Sequence, residues 1–223
     1  MNLAKSYEFL KPEQVQHRIH IIGCGAVGST IAENLARFGI TKITLWDDDI
    51  VSPHNVANQM FTSTQIGKSK VSALAEILRA INPEIDGDLR LMEERYNGQR
   101  LSGYVFLAVD NIDTRRQIAE GLMGNLQVKA MFDFRIRLED AQHYAAKWSD
   151  PAMVNAFLAS MQFSHEEAQA STPVSACNMP LSVCPTVRMI VAAGVANFVN
   201  MVRGCELKKT ILIDAFHFMI DAF

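Results

Sequence analysis

Four clusters in this sequence have the residue types and spacing to hold a phosphorylated ligand. Gly23, Gly25 and Gly28 make a G-x-G-x-x-G, with Ala26 and Val27 inside it. Glycines so spaced allow a tight turn and close backbone approach to a phosphate, whose charge the N–H groups opening a helix then meet. Asp47-Asp48-Asp49 is followed by a polar stretch containing Asn55, Asn58 and Gln59. An acid in the place of Asp47 can bind ribose hydroxyls. Asp110-Asn111 follows an apolar run, with Thr114 and Arg115 beyond it. Lys68 and Lys70 flank Ser69 where a helical pattern begins. The helix dipole disfavours positive charge there by a few tenths of a kcal/mol up to about 1, so a lysine in that place makes more sense facing a phosphate. Plainer alternatives stand beside each reading. The glycines also suit a structural turn, Asp47 a surface site, Asp110 a helix cap, and either lysine a solvated position. Asp48 and Asp49 suit an exposed turn.

These residues need a scaffold, and the periodicities supply one. Ile19 to Ile22 is an apolar run, Val27, Ile31, Leu35 and Phe38 share a helical face, and Gly39 ends that helix. Ile40 to Trp46 then reads as a strand, which completes a βαβ unit. Ser69 to Ile81 is helical, with apolar positions 71, 74, 75, 78 and 81, and Asn82-Pro83 stops it. Leu89 and Leu91 mark a short strand, Tyr104 to Val109 a buried parallel strand, and Val128 to Phe134 another. Thr114 is placed to cap a helix running to Leu122.

Beyond Phe134 the pattern turns antiparallel. Residues 135–138 and 142–148 suit a hairpin. Asp150-Pro151 opens a helix to Met161, and Pro185 opens one with Val187, Ile190, Val191, Gly194, Val195, Phe198 and Val202 inward. Between them, residues 164–184 read as a mobile crossover loop. Residues 209–213 and 216–220 read as closing strands. The expected fold class is α/β: a Rossmann-like, mostly parallel sheet with helices on both faces and an antiparallel C-terminal extension. Residues 1–16 read as an N-terminal arm, helical around Ala4 to Leu10, and residues 17–223 as one domain.

A chain of 223 residues with 49% hydrophobic and 20% charged residues matches an ordinary globular domain. Its net charge of −3 points to neither a nucleic-acid nor a membrane partner. The first residues lack the apolar core of a signal peptide, and Met189 to Val202 is too short to span a bilayer, so a cytoplasmic location is expected. Cys24, Cys177, Cys184 and Cys205 form no C-x-x-C pair and the six histidines no metal spacing, so no zinc is expected and the histidines read as structural or exposed.

Taken in order, G-C-G-A-V-G-S, W-D-D-D-x-V-S-x-x-N-x-x-N-Q, I-G-K-S-K-V, I-N-P and A-V-D-N-x-x-T-R-R resemble the E1-like adenylyltransferases. That family includes enzymes that activate sulfur-carrier proteins in thiamin and molybdopterin synthesis, and ubiquitin-activating enzymes. The likeness is strong from about Arg18 to Arg137 and weaker, but collinear, from Ser175 onward. It implies ATP-dependent adenylation of the C-terminal carboxylate of a ubiquitin-like or sulfur-carrier protein ending in Gly-Gly, with pyrophosphate released. It further implies ATP and Mg²⁺ as cofactors and a homodimer.

By the same resemblance, Gly23, Gly25, Ala26, Val27 and Gly28 form the nucleotide loop, Asp47 binds the ribose, and Asp49 is counted among the nucleotide-binding residues. Asn55 and Gln59 match residues that shape the phosphate site, Asn58 is counted among the nucleotide-binding residues, Lys70 touches phosphate, Asp110 holds Mg²⁺ and Asn111 stands beside the nucleotide. Cys177, on the crossover segment, is the candidate acyl-accepting thiol. Asn58 stands where the family usually has arginine, and the arm before Arg18 offers only Lys5 and Lys11 in place of the arginine often lent across a dimer. Two other readings therefore remain beside adenylation. One is an E1-like partner subunit without full catalysis. The other is an NAD-dependent Rossmann oxidoreductase.

Overall fold

The structure, a computed structural model, describes residues 1–223. In chain order the main elements are β1 (Ile19–Ile22), α1 (Ala26–Arg37), β2 (Ile43–Trp46), α2 (Lys70–Ile81), β3 (Arg90–Met92), β4 (Gly103–Leu107) and α3 (Ile112–Gly121). They continue with β5 (Val128–Arg137), β6 (Asp140–Lys147), α4 (Pro151–Ala159), α5 (His165–Ala170), α6 (Cys184–Val202), β7 (Thr210–Asp214) and β8 (Met219–Ala222). All eight strands form one sheet in the order β3-β2-β1-β4-β5-β6-β7-β8. The pairs from β3 to β5 are parallel, and those from β5 to β8 antiparallel. β1, β2 and β4 are buried along their whole length, as strands covered on both faces must be.

α1 packs against α2 and α6, while α3 packs against α4 and α5. The core is centred on Phe106, Phe132, Phe134 and Phe198, all fully buried; Phe106 stacks on Phe132, and Phe198 meets both edge-on. Burial of one such side chain contributes about 1.5–3 kcal/mol. α6 lies close to the sheet because Gly194 faces the Phe134 ring, where a Cβ would overlap it. Its 19 residues begin at Cys184, so by length and composition α6 is long and apolar enough to cross a membrane, contrary to the shorter span read from sequence. Half of it is buried inside this fold.

Other boundaries moved for physical reasons. β2 starts at Ile43 rather than Ile40; Gly39 (φ +79°) turns the chain, and Ile40 is buried before the strand begins. Asn111, not Thr114, caps α3: its side chain accepts from the Thr114 N–H at 2.9 Å. β5 runs unbroken through residues 135–137 because β6 pairs with it beyond the point where β4 ends. The expected crossover loop contains α5, which the reciprocal Ser164 and Glu167 caps stabilise. Residues 4–9 form turns rather than a helix, with Leu10 and Val15 buried beneath them. The last strand begins at Met219, since Phe218 (φ +57°) belongs to the turn before it.

Candidate active site

β1 and β4 are neighbours although α1, β2, α2 and β3 lie between them in sequence. The chain thus leaves their carboxyl ends in opposite directions, and the crevice between diverging connections is where open α/β sheets bind ligands. The glycine turn follows β1 and Asp110 follows β4. Gly23 has φ +94°, and a Cβ on it would stand 2.7 Å from the Ala108 carbonyl oxygen. Gly28 abuts the Gly23 carbonyl so closely that no side chain fits. Only glycine lets the two strand ends and the first turn of α1 meet this tightly. A cavity of about 670 Å³ opens there, lined by Gly23, Gly25, Ala26 and Val27 together with Asp47, Asp49, Gln59, Lys70, Asp110 and Asn111.

The acids of this cavity have distinct partners. Asp47 accepts from the Cys24 N–H at 2.6 Å and from the Asp49 N–H at 2.9 Å, so it braces the glycine turn from the end of β2. Burial raises its pKa against the pull of these hydrogen bonds. Asp49 Oδ2 lies 2.7 Å from Lys70 Nζ, and Asp48 accepts from Arg95 Nε at 2.9 and 3.0 Å. The carboxylate oxygens of Asp47, Asp48 and Asp49 lie within 4.8 Å of one another, but these partners already hold all three groups. Asp110 is exposed at the cavity wall and is not engaged by any cation. Lys68, by contrast, pairs with Glu76 at 2.7 Å on the surface, which leaves Lys70 as the cavity's lysine.

The donor set fits a nucleotide. Gln59 Nε2 lies 4.0 Å from where a Cβ on Gly25 would stand, and its buried Oε1 is an acceptor without a hydrogen-bond partner, as expected of a side chain reserved for a ligand. Open glycine backbone and Lys70 suit phosphates. Asp110 suits Mg²⁺, which takes one or two carboxylates plus phosphate oxygens rather than a full protein cage. Asn55 and Asn58 lie outside the cavity lining. The Asn55 side chain accepts from the Ser52 N–H at 2.8 Å and so shapes the turn that carries Gln59, while Asn58 ends that turn.

Cys177 is exposed between Val174 and Pro180, outside this lining, whereas Ser182 of the same segment is within it. Cys24 is buried, and desolvation pushes its thiol pKa well up, which suits a packing residue.

Three lining residues, Arg95, Tyr96 and Ser182, escaped the sequence reading, and His165, read there as structural or exposed, also lines the cavity. None belongs to a motif; each comes from an irregular or short element that only the tertiary fold brings in. Arg115 was seen in sequence, but not its work. Buried beneath the cavity, it donates to Asp133, to the Phe134 carbonyl at 2.5 Å and to the Val109 carbonyl, so it fixes the loop that carries Asp110. Burial alone would raise the Asp133 pKa, but Arg115 and Arg135 hold it below the ordinary range.

The sequence model of the ThiF family matches residues 13–212. Ubiquitin-like modifier-activating enzyme 5 of Drosophila simulans is 34% identical over 134 residues, which cover 53% of this chain and 32% of that protein. The chain thus spans about a third of the length of this relative. Among solved structures, PaaA superposes with a TM-score of 0.71 at 17% identity, covering 96% of this chain and 66% of PaaA. E. coli MccB, crystallised with AMPCPP and MccA, gives 0.71 at 16% identity, covering 95% of this chain and 65% of MccB. At such identities the two structures speak for a shared fold.

Proposed function

The chain belongs to the ThiF family, and from that premise we propose that it is an ATP-dependent adenylyltransferase acting on the C-terminal carboxylate of a ubiquitin-like or sulfur-carrier protein. The observation that carries this reading is the convergence of the glycine turn, Lys70, Gln59 and Asp110 on one cavity at the β1–β4 switch point. The modifier-activating relative and the crystallisation of MccB with AMPCPP and MccA favour an adenine nucleotide and a second substrate that accepts the adenylyl group.

Attack of a carboxylate on the α-phosphorus requires alignment and charge neutralisation more than covalent help from the protein. In this proposal the glycine-turn N–H groups and Lys70 hold the phosphates, Asp47 orients the ribose, and the Gln59 amide N–H beside Gly25 donates to the phosphate end. Asp110 and Asn111 stand over the reacting phosphate. Mg²⁺, held by Asp110 when bound, would supply neutralisation of phosphate charge. A homodimer and a Gly-Gly terminus on the carrier belong to the same proposal. So does a thioester at Cys177, whose exposed turn would have to move to reach the cavity.

Calorimetry with Mg-ATP and with NAD tests the nucleotide assignment. The proposal expects ATP to bind more tightly and the Asp110→Ala variant to lose the Mg²⁺ dependence of that binding. Tight NAD binding without an ATP response overturns it and favours the oxidoreductase alternative.

A further inference from the structure

α5 forms a wall shared by two cavities. His165, its first residue, lines the nucleotide cavity. Ala168, towards its other end, and Ser171 and Thr172 just beyond it line a smaller cavity of about 220 Å³. The two cavities meet at Asp110, Arg115 and Ile136, which line both. A group arriving through the smaller cavity would therefore reach the nucleotide alongside His165.

The imidazole is prepared for such a group. The Gln169 amide nitrogen lies 3.0 Å from His165 Nε2, so with the amide donating, Nε2 accepts and the ring proton sits on Nδ1. Nδ1 is buried and has no hydrogen-bond partner. Native folds rarely leave a buried N–H unpaired, and one that lines a ligand cavity is a donor awaiting an acceptor. His165 and Gln59 are the two residues of this cavity with a buried unpaired polar atom, a ring nitrogen on His165 and a carbonyl acceptor on Gln59. Lys70 and Asp47 come from the β2 side of the switch point, whereas α5 packs on α3, on the β4–β5 side. The acceptor facing Nδ1 thus lies on the Asp110 side of the switch point, away from Lys70 and Asp47.

We infer that His165, through its Nδ1–H, binds the carboxylate of the acyl substrate and holds it for attack on the α-phosphorus. This rests on the adenylyltransferase reading. The contact places one carboxylate oxygen on the imidazole and leaves the other free to attack. It asks for no proton transfer, because the substrate carboxylate is already ionised at neutral pH.

The test uses calorimetry of the whole chain with two ligands: Mg-ATP, and glycyl-sulfamoyl adenosine, a stable mimic of an acyl-adenylate. His165→Phe should weaken the mimic by about tenfold or more, the effect of losing one hydrogen bond to a charged or strongly polar group, and leave ATP within about twofold. His165→Asn, whose amide nitrogen falls near Nδ1, should keep most of the affinity. His165→Gln, whose amide falls near Nε2, should behave like His165→Phe and serves as the second variant if the larger ring unfolds α5. Equal losses for ATP and mimic would overturn the inference by placing His165 on the nucleotide. No loss for either would overturn it by making the residue structural. A wild-type chain that binds neither ligand would overturn the adenylyltransferase reading itself, a result distinct from both.

Discussion

Lys70 and Asp49 are joined twice: Nζ to Oδ2 at 2.7 Å, and the Lys70 backbone N–H to the Asp49 carbonyl at 2.9 Å. The Lys70 side chain is 10% exposed and that of Asp49 59% exposed. The ammonium is thus buried at the cavity while its partner faces water. An exposed carboxylate holds such a pair weakly, so an arriving phosphate can take over the lysine at little cost.

Lys70→Met should therefore weaken Mg-ATP binding by about tenfold to a hundredfold, the range for losing a charge-assisted hydrogen bond. Lys68→Met, which breaks only the surface pair with Glu76, should leave it unchanged. Calorimetry on both variants checks this, and equal effects would contradict the different places of the two lysines.

Gly23→Ala should both destabilise the fold and abolish nucleotide binding. The new Cβ would press on the Ala108 carbonyl oxygen at 2.7 Å from a backbone with φ +94°. Strain of that kind costs about 1–3 kcal/mol, which for a chain of this size lowers Tm by several degrees. Thermal melting with and without ATP measures both effects together.

Arg115→Ala should destabilise by about 3–5 kcal/mol, because it strips a buried carboxylate of one of its two cations. Asp133 is completely buried and would keep only Arg135. The Val109 carbonyl would also lose its donor, so any folded fraction should show weaker Mg²⁺ dependence through a displaced Asp110. Urea unfolding and Mg²⁺ titration read the two consequences separately.

Acid should weaken the fold before its carboxylates titrate. Burial lowers the pKa of His143 from 6.5 to about 4, and that of His20 likewise to about 4. Both folded values lie below the unfolded ones, so the stability they contribute is present above pH 6.5 and is lost as pH falls towards 4. Between pH 7 and pH 5 each histidine should cost about 2 kcal/mol, given the shift and its linkage. Asp133, whose folded pKa is also lowered, loses its contribution only below its unfolded value of 3.8. Urea midpoints across this range, with His143→Gln expected to flatten part of the slope, check the sign.

Much of the fold was legible because burial leaves simple marks. The apolar runs at β1 and β4 and the helical spacing of α2 and α6 gave their elements within a few residues. What stayed hidden depended on partners. Nothing local to residues 135–137 says that β6 will extend β5 past the end of β4. The glycine turn, Asp47, Lys70 and Asp110 were readable because each sits at the end of a regular element. Arg95 and His165 were not, because no spacing marks a residue that a neighbouring segment swings into a cavity. Asn55 and Asn58 lie in a matching motif yet stand outside the lining, which shows that motif membership does not by itself place a side chain in the cavity.

Exchange of labelled pyrophosphate into ATP reads carboxylate adenylation itself. Exchange is expected with Mg-ATP only when a small carrier protein ending in Gly-Gly is present, and should be lost in Asp110→Ala and strongly reduced in Lys70→Met. Carrier-independent exchange, or undiminished exchange in Asp110→Ala, would contradict it.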